Sequence, residues 1–158
     1  MTQALVSTTC PQETLLFGEA LGRLLMQRPC SLVLLSGPLG AGKTTLVQGI
    51  ASALGVSHPI TSPTFVTSLA YQGRVPLYHI DAWRVAEDPY FAEEVTEIFE
   101  QPGICVVEWP EQLTDWLPEE YLHISLDYDF AKDEMSRQLV VREKGSDYSN
   151  IVEELGQA

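Results

Sequence analysis

The segment Gly37-Pro38-Leu39-Gly40-Ala41-Gly42-Lys43-Thr44 constrains this chain more than any other. It fits G-x-x-x-x-G-K-[ST] at every fixed position. The short apolar run Ser31 to Leu35 precedes it and reads as a buried strand. A helix is expected to follow from Lys43 to about Leu54, with Gly55 placed to end it. A strand, a glycine-rich turn and a helix in that order form a phosphate cradle. The glycines let backbone N–H groups turn inward, and the helix adds its positive end. Lys43 brings a point charge for β- and γ-phosphates, the Thr44 hydroxyl is a ligand for Mg²⁺, and Thr45 reaches an α-phosphate from the same turn.

The rest of the chain reads as the frame for that loop. Thr9-Cys10-Pro11-Gln12-Glu13 looks like a helix start with a Thr cap. Phe17, Leu21, Leu24 and Leu25 recur at helical spacing, which carries this helix to about Gln27. Phe65 to Tyr71 and Val75 to Ile80 flank Gln72-Gly73-Arg74 as a β-hairpin. Glu87 to Phe99 reads as an acidic helix, and Ile104 to Val107 as a second buried strand. Leu122 to Leu126 alternates weakly, and Gln138 to Val141 is a short final strand. The expected fold is α/β: a single-domain P-loop NTPase with a mostly parallel central sheet, an antiparallel hairpin and flanking helices. Residues 1–144 form the domain, and 145–158 a polar tail with room for a short helix.

A P-loop enzyme needs an acid at the end of a neighbouring strand to hold Mg²⁺ or its water. Asp81 ends one expected strand and Glu108 another. Glu108 is the preferred ligand or water-positioning group and Asp81 can share the metal; their roles are not separable at this level. Thr64, in Thr61-Ser62-Pro63-Thr64, sits where a switch threonine would sense γ-phosphate, although an ordinary Ser/Pro turn fits the same residues. His79 shares a strand face with Asp81 and reads as a structural histidine that could also orient the acid.

Charge narrows the ligand class. Nine Lys and Arg stand against 22 Asp and Glu, a net charge of −13, so direct binding to a nucleic-acid backbone is disfavoured. So few cations also leave no Arg-rich lid of the kind a small-molecule kinase uses, which keeps that class as the alternative. No N-K-x-D guanine-reading motif occurs, so the expected ligand is ATP with Mg²⁺. No apolar run approaches a membrane span, and Met1 to Cys10 has no signal-peptide pattern, so the expected location is the cytoplasm. Cys10, Cys30 and Cys105 have no metal-like spacing and read as reduced small hydrophobes.

Four blocks in this order carry a family resemblance: Gly37 to Thr45, then Thr61-Ser62-Pro63-Thr64-Phe65, then Tyr78-His79-Ile80-Asp81-Ala82-Trp83-Arg84, then Val107-Glu108-Trp109-Pro110-Glu111. The chain resembles the TsaE (YjeE) family, small bacterial ATPases of tRNA threonylcarbamoyladenosine synthesis, from roughly Gln12 to Arg142. The resemblance implies an ATPase that works with TsaD and TsaB, the pair that transfers threonylcarbamoyl to N6 of adenosine 37 in tRNAs reading codons that begin with A. It places tRNA with the partners. It implies that Gly40 to Thr45 wrap the phosphates, that Thr44 and Glu108 hold Mg²⁺, that Asp81 is a second acid near the metal and that Thr64 is the switch. Trp109 would report or couple nucleotide state, a packed aromatic being an equal reading. Arg137 and Thr8 would approach the base. Pro38 stands where the family usually has Asp, and Ile80 and Ala82-Trp83 where Phe and Leu-Tyr are commoner; none of these removes a phosphate or metal group.

Overall fold

Leu32 to Leu35 are apolar on both faces because they run through the middle of a seven-stranded sheet. The computed structural model describes residues 2–61, 68–83 and 88–157. In chain order the elements are β1 (Gln3–Thr8), α1 (Pro11–Leu25), β2 (Cys30–Ser36), α2 (Lys43–Leu54), β3 (Ser68–Tyr71), β4 (Leu77–Asp81), α3 (Pro89–Phe99), β5 (Gly103–Glu108), a 3₁₀ helix (Pro110–Trp116), β6 (Tyr121–Tyr128), β7 (Arg137–Lys144) and α4 (Ser149–Gln157). The sheet order is β1-β7-β6-β2-β5-β4-β3. The four central strands β6, β2, β5 and β4 are parallel, which is the expected P-loop sheet. Antiparallel pairing goes beyond the β3–β4 hairpin, since β7 returns along β6 and β1 closes that edge.

Two cores cover the sheet. One face takes Phe17, Leu21 and Leu25 of α1, Leu46, Val47 and Ile50 of α2, and Ile151, Val152 and Leu155 of α4. The other takes Phe91, Ala92 and Val95 of α3 with Leu113 of the 3₁₀ helix. Burying each large aliphatic side chain contributes roughly 1.5–3 kcal/mol before conformational entropy is counted. The charged side of α3, Glu93, Glu94 and Glu97, stays in solvent, as its spacing requires.

What fixes the phosphate loop in space is the close approach of α1 to α2. A Cβ on Gly18 would lie 2.3 Å from the Leu46 carbonyl oxygen, and one on Gly49 would lie 2.2 Å from that of Leu15. Only glycine lets the two backbones meet this closely, so α2 is held against α1 as well as against the sheet. The α1 start differs slightly from its expected form. Cys10 is the cap residue and Pro11 the first helical position, while the Thr9 hydroxyl donates to the Glu13 carboxylate. α1 also stops at Leu25, with Met26 as its C-cap.

Candidate functional site

The loop after β2 is built from backbone that side chains would block. Gly37 has φ 147°, and a Cβ there would meet the Leu126 carbonyl oxygen at 2.2 Å. Gly42 caps α2 in the left-handed region at φ 107°, with no side chain bonded to the first turn. The leading N–H groups of α2 are thus left for a ligand, and no acidic residue in that turn offsets the helix's positive end. Lys43 is only 7% exposed. Its Nζ donates to the Gly37 carbonyl at 2.7 Å and lies 4.3 Å from the centroid of the Trp109 ring. The ammonium is therefore held at the mouth of the loop by a carbonyl and a π-face, and among the described residues it forms no ion pair.

The acids arrive from β4 and β5. Asp81 and Glu108 are partners in the parallel register, so the two carboxylates leave adjacent strand ends. The Ala82 N–H donates to the Glu108 carbonyl at 3.0 Å and extends that ladder one step further. Their surroundings differ. Asp81 is half-buried and its Oδ1 accepts from the Trp83 N–H at 2.9 Å. Desolvation by burial pushes its pKa above the ordinary carboxylate value; the Trp83 bond opposes that shift and the nearby Glu108 charge adds to it. Glu108 is 6% exposed, and its Oε2 accepts from Nε2 of the fully buried His79 at 2.7 Å. Immediately beyond, Trp109 turns the chain into the 3₁₀ helix with φ 57°, the positive-φ non-glycine position among the described residues. Such a conformation costs about 1 kcal/mol or more and needs its surroundings to hold it. The Trp83 ring, 4.6 Å away edge-on, is part of that support.

These groups share one cleft of about 510 Å³, lined by Leu39, Gly40, Gly42, Lys43, Thr44, Thr45, Asp81, Trp83, Glu108 and Trp109. The Thr44 hydroxyl and the two carboxylates in it are all oxygen donors, a set that would suit a hard cation such as Mg²⁺. The pKa of Asp81 is raised chiefly by desolvation, with the neighbouring Glu108 charge a smaller contribution, and a cation between the two acids would offset both. Among the described residues no three His, Cys, Asp or Glu cluster as a complete metal cage. A divalent ion here would complete its shell with phosphate oxygens and water, as Mg²⁺ commonly does.

A second wall lies across the loop. The Arg137 guanidinium sits 4.5 Å from the Tyr128 ring centroid, and its Nη2 donates to the Gly40 carbonyl at 3.4 Å. Tyr128 donates to the Leu39 carbonyl at 2.6 Å and stacks on Phe130. Arg137, Thr45, Gly40 and Thr14 line a small recess of about 70 Å³ there. Thr8 does not reach it. Its side chain is buried and its hydroxyl pairs with Thr14 at 2.9 Å, one layer behind the recess. Pro38 and Ala41 shape the loop from within, the Ala41 N–H donating to the Pro38 carbonyl at 3.1 Å.

Thr64 lies outside the described residues, as does Arg84. The sequence reading gave no role to Trp83 in the cleft wall or to Tyr128 pinning the loop, and it set His79 beside Asp81, whereas the ring bonds Glu108. Tyr128 ends β6, and β6 lies beside β2, so a correct strand order would have placed it at the loop.

A family model described as threonylcarbamoyl adenosine biosynthesis protein TsaE matches residues 8–139. Relatives named tRNA threonylcarbamoyladenosine biosynthesis protein TsaE include that of Treponema pallidum, 43% identical over 73% of this chain and 84% of its own length. That of Bacillus subtilis is 36% identical over 94% of this chain and 90% of its own. The crystal structure of Bacillus subtilis YdiB superposes with a TM-score of 0.81 at 28% identity, covering 99% of this chain and 97% of that one. With the family model spanning both walls of the cleft and relatives matching along most of the chain, this protein belongs to the TsaE family.

Proposed function

We propose that this chain is a Mg²⁺-dependent ATPase subunit that serves threonylcarbamoyladenosine formation in tRNA together with TsaD and TsaB. The observation that carries the reading is the convergence in one cleft of the Lys43 loop and the paired strand-end acids Asp81 and Glu108. ATP enters with its triphosphate over the N–H groups of Gly40 to Thr45. Lys43 exchanges its bonds to Gly37 and Trp109 for the β- and γ-phosphates, where its charge is worth more against the transition state than in the resting cleft. Thr44, Asp81 and Glu108 would hold Mg²⁺, which would supply positive charge against the phosphates. Glu108 positions the attacking water, and Thr64 senses the γ-phosphate. Arg137 approaches the base from the second wall; Thr8 supports that wall through Thr14. The net charge of −13 disfavours direct contact with a tRNA backbone, which supports contact with tRNA through the partners. Among the described residues no helix is long and apolar enough to cross a membrane, in keeping with work in the cytoplasm. In this reading residues 1–144 carry the whole site.

The test is phosphate release from ATP, measured with and without the TsaD–TsaB pair and with small-molecule phosphate acceptors in parallel. The pair is expected to bind this chain and change its turnover. Absence of both effects, or phosphate transfer to a small acceptor, overturns the proposal.

A further inference from the structure

His79 is fully buried on β4, yet it reaches across to β5 and holds the functional carboxylate of Glu108 at 2.7 Å. The register makes this contact possible. His79 pairs with Val106, so Glu108 lies one same-face step further along the neighbouring strand. A carboxylate accepts, so the ring's Nε2–H donates to it, and Nδ1, also buried, has no hydrogen-bond partner among the described residues. A purely structural histidine would be expected to satisfy both nitrogens inside the protein. Here the ring's bond is directed at one oxygen of a side chain that lines the cleft, and among the described residues Glu108 Oε1 makes no hydrogen bond.

We propose that His79 is a positioning residue: through its bond to Oε2 it fixes the rotation of the Glu108 carboxylate and so sets the direction in which Oε1 meets metal or water. Glutamate has several rotatable bonds, and an unheld carboxylate would sample orientations that do not serve the cleft. Asp81 needs no such partner, because it is shorter and its own Oδ1 is tied to the Trp83 N–H. The inference rests on the ATPase reading of the cleft.

Two substitutions separate positioning from packing. His79→Leu keeps the bulk and removes the donor, whereas His79→Gln keeps an amide donor near the position of Nε2. The expected result for His79→Leu is a loss of roughly 10–100-fold in kcat with KM for ATP little changed. Mg²⁺-dependent strengthening of fluorescent-ATP binding should also weaken, while binding without Mg²⁺ stays at the wild-type level. His79→Gln should recover most of both. Adding His79→Leu to a Glu108→Gln background should cost almost nothing further, because the residue acts only through that carboxylate. Additive losses in the double variant, equal weakening of binding with and without Mg²⁺, or wild-type kcat in His79→Leu each overturn the inference. Should His79→Leu not fold, His79→Gln compared with His79→Asn, whose amide sits nearer Nδ1, decides the point. Equal activity of those two overturns it. Wild-type protein without ATP turnover overturns the underlying ATPase reading instead.

Discussion

The two walls of the cleft are made in opposite ways. The phosphate loop is a single stretch, Gly37 to Thr45, whose shape follows from its own glycines and from the strand and helix that flank it. The acid wall is an assembly: Asp81, His79, Glu108, Trp83 and Trp109 come from β4, β5 and the turns beyond them, and they meet only because the parallel register brings them together. A contiguous site tolerates changes in the distant fold and fails at single residues. An assembled site spreads its dependence over several side chains, each holding another. The two carboxylates show the same contrast in small. Asp81 is held by its own local backbone, and Glu108 by a histidine 29 positions away.

If that contrast is right, the largest loss comes from the loop. Lys43→Ala should lower kcat/KM for ATP by at least about a hundredfold, the scale for removing a charge that meets the transition state. Steady-state phosphate release measures it, and an unchanged rate would remove the loop from the site. The support beneath the loop comes next. Gly49→Ala would drive a Cβ to 2.2 Å from the Leu15 carbonyl and 2.8 Å from the Gly18 Cα. A destabilisation of about 1–3 kcal/mol is expected, read by denaturant titration.

The acid wall should give a smaller effect of opposite sign on stability. The pKa of Asp81 is raised in the fold above the ordinary value of 3.8. The folded state therefore binds its proton more readily than the unfolded chain. This group's contribution favours folding at low pH and is lost as pH rises from the unfolded value through the folded one. At neutral pH the ionised Asp81 costs stability in the ligand-free protein. Asp81→Asn should raise the ligand-free Tm while lowering turnover, and should flatten stability against pH just above 3.8. A lower Tm at neutral pH would contradict this account of the acid. The smallest effect is expected at Trp83, which is 56% exposed. Trp83→Leu removes the edge contact to Trp109. Nucleotide affinity should move by no more than about threefold, and a nucleotide-dependent change in Trp109 fluorescence should persist.

The same contrast explains what could be read from the chain. α2 runs over Lys43–Leu54 with Gly55 as its C-cap, as the motif and its flanks required. β2 and β5 contain the apolar runs that marked them. β1 was not legible. Its larger apolar residue, Leu5, is 59% exposed while small Ala4 is buried, so hydrophobicity points the wrong way along the strand. Its partner, β7, begins more than a hundred residues further on, at Arg137. The His79–Glu108 bond was hidden for a related reason. Alternation places His79 on the face of Asp81, but only the β4–β5 register reveals that it reaches Glu108. Thr64 falls within residues 62–67, outside the described residues.

The central claim is that the contiguous loop and the assembled acid wall form one Mg-ATP site. Titration of a fluorescent ATP analogue, with and without Mg²⁺, tests it most directly on the wild type, Lys43→Ala and the double variant Asp81→Asn with Glu108→Gln. The account predicts weakened binding in both conditions for Lys43→Ala. For the acid variant it predicts loss of the Mg²⁺-dependent part alone, with metal-free binding equal to or tighter than wild type. Full Mg²⁺ dependence in the acid variant would contradict it.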